Sequence, residues 1–226
     1  MGRRRVRDLI DFIEDRQIDL VIDVGANVGQ FGESLREGGY RGRIVSFEPI
    51  EAAFEALSKK AAADSKWEAH HCGLGATKGE AGIHVSELTV FSSILSLTSV
   101  ASLHDSRIAV ERTETIKIET LDDLTAGMTG NILLKIDTQG YEKQVIEGGQ
   151  QLIARVQGIL MELPIIHVYE GEWQFHEAAK FMSDAGFVPA QIQPVNYHGL
   201  DNVSLVDVDC LFRPRGRVDG PQDVER

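Results

Sequence analysis

The sequence predicts a single doubly wound, Rossmann-like α/β domain with an open and mostly parallel sheet. Short apolar segments rich in β-branched residues, such as "DLVIDVG" and "GNILLKID", alternate with segments of helical periodicity. This alternation is typical of right-handed βαβ crossovers. A length of 226 residues suits one domain with a sizeable core. A content of 42% hydrophobic and 26% charged residues is ordinary for a globular protein.

The first part of the chain predicts a helix and then two and a half βα units. Apolar residues at helical spacing mark a helix within residues 1–19, expected to pack on a sheet edge: Val6, Leu9, Ile10 and Ile13. The strand "DLVIDVG" leads into the helix "GQFGESLREGGY", which ends at its glycine pair. The strand "GRIVSFEP", the helix "IEAAFEALSKKAAAD" and a third strand "WEAHHCGLG" follow.

The middle of the chain has a different pattern. "KGEAGIHVSE" and "RTETIKIETL" alternate polar and apolar residues, which predicts strands with one face in solvent. Between them, residues 89–106 are rich in Ser and Thr and have no clear period. Long loops inside compact domains are often functional, so we expect a lid that closes over a ligand.

The α/β alternation then resumes to the end of the domain. "GNILLKIDTQG" predicts a strand and turn, "YEKQVIEGGQQLIARV" one helix, and "GILMELP" the next strand. "EWQFHEAAKFMSDAGF" predicts a helix ending at Gly186, before the strands "VPAQIQPVNY" and "VSLVDVDCLFRP". The predicted domain therefore covers residues 20–214, and residues 215–226 form a polar tail.

Charge and composition restrict the partners. A formal net charge of -12 would repel a nucleic-acid backbone and favours a small or neutral partner. No segment reaches the length of a membrane span without charges, so we expect no stable membrane insertion. Cys72 and Cys210 are far apart and show no metal spacing. We expect two reduced, buried thiols in a cytoplasmic protein.

A first candidate site follows the first two strands. In doubly wound sheets, ligands bind beyond the carboxyl ends of the strands. Asp23 ends the first strand, and Gly25, Asn27 and Gly29 lead into the next helix, where glycine permits a sharp turn and a close ligand. Glu48 ends the second strand, from which a carboxylate can accept hydrogen bonds from both hydroxyls of a ribose.

The loop discriminates between nucleotide cofactors by its charge. Its glycine pattern is G-x-x-x-G, without the third glycine of the dinucleotide fingerprint. A carboxylate at Asp23 would repel a pyrophosphate but would favour a cationic ligand that carries a ribose. S-adenosylmethionine has these properties. The alternative is that Asp23 only caps the following turn and that Glu48 is exposed to solvent.

A second candidate site follows two later strands. Asp137 and Glu162 both end apolar strands, and neighbouring strands lie about 4.8 Å apart. The two carboxylates are candidate ligands for a hard cation such as Mg²⁺, which would orient an acceptor hydroxyl and lower its pKa. Alternatively, Asp137 caps the next helix and Glu162 bonds backbone amides. His167, in the following loop, is a candidate general base, although a loop histidine is as often inert.

Together these segments resemble a known family. "VIDVGANVGQF", "VSFEP", "HCGLG", "TLDDL", "LLKIDTQGYE", "VIEGG" and "MELP" occur in this order. The sequence resembles the FkbM-type methyltransferases, S-adenosylmethionine-dependent O-methyltransferases, over residues 20–212. The resemblance implies a seven-stranded class I methyltransferase sheet whose last strand runs antiparallel. It also implies an acceptor hydroxyl on a sugar, a glycolipid or a polyketide.

The resemblance also assigns residues. It implies cofactor binding by a set that spans several strand ends: Asp23, Gly25, Asn27, Gly29, Glu48 and Asp137. Gly73 and Leu74 would lie beside the adenine, and Asp137 would lie near the transferred methyl group as a catalytic residue. We expect a small acceptor with a hydroxyl group, best matched by a sugar of a glycolipid, polysaccharide or glycosylated natural product. A homodimer formed through the N-terminal helix is one expected assembly.

Two other functions remain open at this point. An NAD-dependent oxidoreductase would use Glu48, but the missing glycine and Asp23 disfavour it. A non-catalytic protein that binds S-adenosylmethionine would keep the fold without the chemistry. The acidic residues at the strand ends argue against that possibility.

Overall fold

The computed structural model describes residues 3–86, 92–98, 110–198 and 203–216. Its strands, in chain order, are β1 (Leu20–Val24), β2 (Arg43–Phe47), β3 (Trp67–His70), β4 (Gly73–Leu74), β5 (Gly79–Ser86), β6 (Val110–Glu119), β7 (Ile132–Ile136), β8 (Gly158–Pro164), β9 (Phe187–Tyr197) and β10 (Leu205–Pro214). The helices of the described residues are α1 (Arg3–Asp15), α2 (Gln30–Glu37), α3 (Glu51–Ala61), α4 (Leu121–Thr125), α5 (Glu142–Glu147), α6 (Gln150–Ile153) and α7 (Phe175–Asp184).

A seven-stranded sheet forms the centre, in the order β3-β2-β1-β7-β8-β10-β9. Strands β1, β2, β3, β7 and β8 pair in parallel, and β10 is antiparallel to both of its neighbours. The predicted fold class and the antiparallel last strand are therefore confirmed. The strand order reverses between β1 and β7, and the diverging connections there open a crevice in which ligands bind in such sheets.

A second, three-stranded sheet has the order β4-β6-β5. The two half-solvated strands predicted in the middle of the chain are present as β5 and β6. The predicted third strand "WEAHHCGLG" is divided: β3 ends at His70, and β4 joins the second sheet. Pairing of β2 with β3 ends at Phe47 and His70, and the chain turns directly afterwards, where the N–H of Cys72 donates to the carbonyl of His70.

The predicted helix after β7 is also divided, into α5 and α6. A Cβ atom on Gly148 would overlap the carbonyl oxygen of Gly75, so a larger residue does not fit at this close approach. The Asp122 carboxylate accepts the N–H groups of Gln151 and Leu152 at 3.0 and 2.9 Å, which caps the start of α6. The "TLDDL" and "VIEGG" segments thus stabilise this junction.

Helix α1 belongs to the core of the domain. Leu9, Phe12 and Ile13 are buried in one hydrophobic cluster with Leu160 and Leu211 of the central sheet. The helix therefore covers a face of the sheet rather than an edge, because its apolar stripe is buried against β8 and β10, which both have a neighbour on each side.

Two further findings concern composition. Both cysteines are free and buried, as expected. Among the described residues, the helices fall short of the length and apolar character that a membrane crossing requires.

Candidate functional site

A cavity of about 290 Å³ opens at the crevice between β1 and β7. It brings together most of the residues that the sequence marks as site residues: Gly25, Asn27, Glu48, Gly73, Leu74, Asp137 and Glu162. The volume lies near the lower end of small-molecule sites, which begin at roughly 300 Å³. The cavity continues to the β9–β10 hairpin, where Val195, Asn196 and Asp207 line it.

Glu48 is fixed by the backbone of two loops. Its Oε2 accepts the N–H of Asn27, and its Oε1 accepts the N–H of Ile50, both at 2.8 Å. The side chain is only 4% exposed, and burial raises the pKa of Glu48 to about 7, against the opposing effect of these two donors. Each carboxylate oxygen has a second lone pair that can accept a hydroxyl of a bound ligand.

Gly25 lies where the chain passes from β1 to the cavity. Its φ of +73° lies in the left-handed region that favours glycine, and a Cβ atom would overlap the main-chain carbonyl oxygen of Asp137. The glycine therefore lets the loops after β1 and β7 touch. Gly29 (φ +86°) serves packing instead, because a Cβ there would lie 3.0 Å from Leu57 and 3.3 Å from Trp67.

The wall next to Glu48 is apolar. Cys72, Gly73 and Leu74 line it at β4, together with Ile50 and Ile83. Such an apolar wall suits a flat heterocycle. Gly73 and Leu74 thus line the same cavity as Glu48, and their adenine-binding role stays a prediction.

Asp23 does not reach the cavity. Its side chain has no exposed surface and forms an ion pair with the Lys135 Nζ at 3.1 Å. The Ser46 hydroxyl donates to its other oxygen at 3.3 Å. Burial raises the pKa of Asp23, and Lys135 opposes that rise. The structure therefore gives Asp23 a fixed protein partner in place of direct contact with a cationic ligand.

Lys135 connects the two loops below the cavity. Its ammonium group contacts Asp23, lies 3.4 Å from the Asp137 Oδ2, and donates to the Gly25 carbonyl at 3.0 Å. Burial disfavours its charge, but the carboxylates of Asp23 and Asp137 hold the pKa of Lys135 above its usual range. The lysine thus fixes the point at which β1 and β7 diverge.

Asp137 and Glu162 are bridged by an amide. The Gln139 Nε2 donates to the Asp137 Oδ1 at 2.8 Å and to the Glu162 Oε1 at 3.3 Å. Gln139 has a left-handed φ of +53°. Its turn is held by the buried Glu142, whose Oε1 accepts the N–H groups of Thr138 and Gly140.

The far end of the cavity is strongly acidic. Burial, together with the carboxylates of Asp137, Asp207 and Asp209, raises the pKa of Glu162 well above its usual value. The pKa of Asp209 is raised to about 6, again by burial first and then by Asp137, against the opposing charge of Arg5. These neighbours favour a protonated Glu162 when no cation is close.

The acidic cluster does not match a divalent cation site. Across residues 3–86, 92–98, 110–198 and 203–216, the structure brings no three His, Cys, Asp or Glu side chains into ligating geometry. The Gln139 amide group also points its hydrogens at Asp137 and Glu162, where a cation would need lone pairs. The magnesium prediction is therefore not supported, and neither Asp137 nor Glu162 is assigned as a metal ligand.

His167 does not line the cavity. The structure places it in the loop after β8, where its main-chain carbonyl accepts the Thr98 hydroxyl at 3.1 Å. Most of the lid predicted over residues 89–106 lies outside the described residues. Within the described part, Ser92 and Ile94 line the cavity, and the Ser93 hydroxyl donates to the main-chain carbonyl of Gln139.

Four residues of the site have no counterpart among the sequence predictions: Lys135, Gln139, Asn196 and Asp207. The sequence does contain an indication for Lys135, because a lysine inside the apolar run "NILLKID" must find a buried partner of opposite charge. The sequence contains no indication for Asn196 and Asp207, since their pairing depends on how the β9 and β10 strands align.

The donor set of the cavity fits S-adenosylmethionine. It offers a carboxylate with free lone pairs for a ribose, an apolar wall for a base, and an acidic end for a cation. The Gly25 loop presents backbone without a side chain in the way. A pyrophosphate would find four acidic residues along the same cavity: Glu48, Asp137, Glu162 and Asp207.

Comparison with known proteins agrees with this geometry. The family model described as the methyltransferase FkbM domain matches residues 23–189, well over half of the chain. The chain is 23% identical over 202 residues to Methyltransferase 1 of Beauveria bassiana (strain ARSEF 2860), covering 83% of this chain and 78% of that protein.

Solved structures show the same fold at low identity. A methyltransferase FkbM from Methylobacillus flagellatus KT superimposes with a TM-score of 0.53 at 15% identity, covering 87% of this chain and 43% of that one. The chain thus spans less than half of that protein. Magnesium protoporphyrin IX methyltransferase from Synechocystis PCC 6803 with bound SAM superimposes with a TM-score of 0.51 at 11% identity. The match covers 94% of this chain and 79% of that one. An rRNA methylase from Streptococcus thermophilus superimposes with a TM-score of 0.50 at 12% identity. The match covers 96% of this chain and 99% of that one.

Proposed function

Since the chain belongs to the methyltransferase FkbM domain family, we propose that it moves a methyl group from S-adenosylmethionine to a hydroxyl of a small acceptor, best matched by a sugar. One observation supports this proposal above the others. A single cavity joins the fixed carboxylate of Glu48 at one end to the acidic cluster around Glu162 at the other.

The cofactor half of the proposal uses the residues around β1, β2 and β4. Glu48 accepts the ribose hydroxyls, Gly25 and Asn27 face the amino acid part, and Gly73 and Leu74 face the adenine. Asp23 acts through Lys135, which it neutralises, and Gly29 acts through packing. Asp137, which lines the cavity between the two halves, lies on the path to the acceptor.

The acceptor half of the proposal rests on charge. Asp137, Glu162 and Asp207 line this end of the cavity. Carboxylates accept hydrogen bonds from hydroxyls and repel phosphates, so a neutral polyol fits and an RNA backbone does not. The chain charge of -12 adds to this repulsion. We place the reaction in the cytoplasm, in agreement with two unpaired thiols.

The cofactor, when bound, supplies a methyl group on a positively charged sulfur. The protein orients the acceptor oxygen toward that carbon and keeps water out, which is the larger part of such catalysis. The cofactor would bind along the apolar wall and the acceptor at the acidic end of the same cavity.

Turnover tests this proposal directly. The protein is incubated with S-adenosylmethionine and a panel of methyl glycosides of hexoses and deoxyhexoses, and products are followed by mass spectrometry. We expect a gain of about fourteen daltons, one CH₂ group, in at least one glycoside. Transfer to ribosomal or transfer RNA instead of every glycoside would refute the acceptor class, and absence of any transfer would favour the non-catalytic alternative.

A further inference from the structure

We propose that Glu162 accepts the proton of the acceptor hydroxyl and that Gln139 is its positioning residue. The inference rests on the proposed function, whose acceptor half it makes specific. It also replaces two sequence predictions, the cation held by Asp137 and Glu162 and the base at His167.

The four carboxylates at the acidic end differ in their partners. Asp137 is bound on one oxygen by Gln139 and lies beside Lys135 on the other, so both of its oxygens already have a protein partner. Asp207 accepts three hydrogen bonds from Asn196, at 3.0–3.1 Å. Asp209 pairs with Arg5 at 3.4 Å and does not line the cavity.

Glu162 is the member of this group that remains available. Its Oε1 receives a long bond of 3.3 Å from Gln139, and its Oε2 has no hydrogen-bond partner among the residues that the structure describes. The side chain lines the cavity, so this oxygen can meet an acceptor hydroxyl. A base must reach the proton first and have a suitable pKa second.

Gln139 is held in place from three directions. The Tyr169 hydroxyl donates to its side-chain carbonyl at 3.3 Å, and Ser93 donates to its main-chain carbonyl. The left-handed backbone is held by the Glu142 carboxylate through the neighbouring N–H groups. The amide nitrogen therefore has one orientation, toward Asp137 and Glu162, and its bond to Glu162 uses Oε1, which leaves Oε2 for another donor.

The charges around Glu162 set its basicity. The charged and titratable groups that act on it come from β7, from β10 and from the loop after β8: Lys135, Asp137, Asp207, Asp209 and Tyr169. Burial, and after it these carboxylates, raise the pKa of Glu162, and a carboxylate with a raised pKa is a stronger acceptor for a hydroxyl proton. A bound sulfonium cation would favour the ionised form that a base needs.

The step is balanced within this site. The hydroxyl proton moves to the Glu162 Oε2 while the acceptor oxygen bonds to the methyl carbon. The carbon–sulfur bond breaks, its electron pair stays on sulfur, and the products are a methyl ether and S-adenosylhomocysteine. Glu162 then returns its proton to solvent through the cavity.

The test compares Glu162→Gln with Glu170→Gln, a control at an exposed residue of the loop after β8. S-adenosylmethionine binding is measured by calorimetry, and S-adenosylhomocysteine formation is measured with the methyl glycoside panel. We expect both variants to bind S-adenosylmethionine, so that kcat is measured at saturating cofactor in each. We expect kcat to fall about 10²–10⁴-fold in Glu162→Gln alone, the usual share of a general base.

A second pair of variants reports the role of Gln139. In Gln139→Leu the amide donor is lost, so the acid limb of the kcat–pH profile should move to higher pH while kcat at alkaline pH recovers. Glu162→Asp keeps a carboxylate and should retain a pH-dependent part of kcat, which guards against a misfolded Glu162→Gln protein.

The outcomes separate the two proposals. A Glu162→Gln protein that binds cofactor and keeps more than a tenth of wild-type kcat would overturn the base assignment and leave the methyltransferase intact. An unshifted acid limb in Gln139→Leu would overturn the positioning role. A wild-type protein that binds the cofactor and methylates no glycoside would overturn the proposed acceptor, and this inference with it.

Discussion

Cofactor affinity should depend on pH through Glu48. The carboxyl group is 4% exposed, and burial raises its pKa to about 7 in the protein without ligand. Hydroxyls of a ribose donate to the ionised form, so the protein binds the cofactor best once Glu48 has lost its proton. Affinity should therefore rise as pH increases through 7 and level off above it.

The size of this effect follows from the fraction ionised. About one molecule in ten is ionised one pH unit below the pKa, so the dissociation constant should rise about tenfold at pH 6, or about 1.4 kcal/mol. At pH 5 the loss should approach a hundredfold. If Glu162 also loses its proton when the cofactor binds, the dissociation constant will depend more steeply on pH. The pH dependence of the wild-type protein therefore cannot by itself identify Glu48 as the titrating group.

Calorimetric titration of S-adenosylmethionine from pH 5 to pH 8.5 measures this dependence. Pairs of buffers with different ionisation enthalpies count the protons released. Glu48→Gln should bind the cofactor weakly at all pH values and release fewer protons on binding than wild type. Glu162→Gln should still release the protons that come from Glu48. If Glu48→Gln kept the wild-type affinity and slope, Glu48 would not be the ribose ligand.

Three further perturbations have defined outcomes. Gly25→Ala should abolish detectable cofactor binding, because its Cβ would overlap the Asp137 carbonyl, whereas Gly79→Ala, with open space around it, should bind normally in the same titration. Lys135→Met should lower the free energy of unfolding, measured by denaturant titration, by about 3–5 kcal/mol, since it leaves Asp23 buried without its partner. The double variant Lys135→Met/Asp23→Asn should regain part of this stability. Dialysis against EDTA should leave the methylation rate unchanged; a rate that falls and returns with Mg²⁺ would restore the cation hypothesis.

The periodicity of the sequence was sufficient for the architecture. Apolar runs ending in acidic residues at Asp23, Glu48, Asp137 and Glu162 predicted parallel strands whose carboxyl ends share one edge of the sheet. Three of these carboxylates line one cavity. Local patterns are informative here because strand direction and strand ends are set by backbone pairing and turn residues.

The errors arose where the outcome depends on contacts between distant segments. The break between α5 and α6 lies where Gly148 closely approaches the carbonyl of Gly75, a contact that no local pattern records. Asp23 was expected at the ligand because it ends β1, but a partner 112 positions later in the chain, Lys135, holds it inside the sheet. Gln139 occupies the place expected for a cation because its own turn aims the side chain back at two carboxylates.

The most direct test of the central claim is a comparison of two ligands at one site. Wild-type protein is titrated by calorimetry at pH 8 with S-adenosylmethionine and, separately, with NAD. We expect one binding site for S-adenosylmethionine, displaced by S-adenosylhomocysteine and lost in Gly25→Ala, and no heat with NAD. Saturable binding of NAD together with no binding of S-adenosylmethionine would show that the cavity is not a site for S-adenosylmethionine.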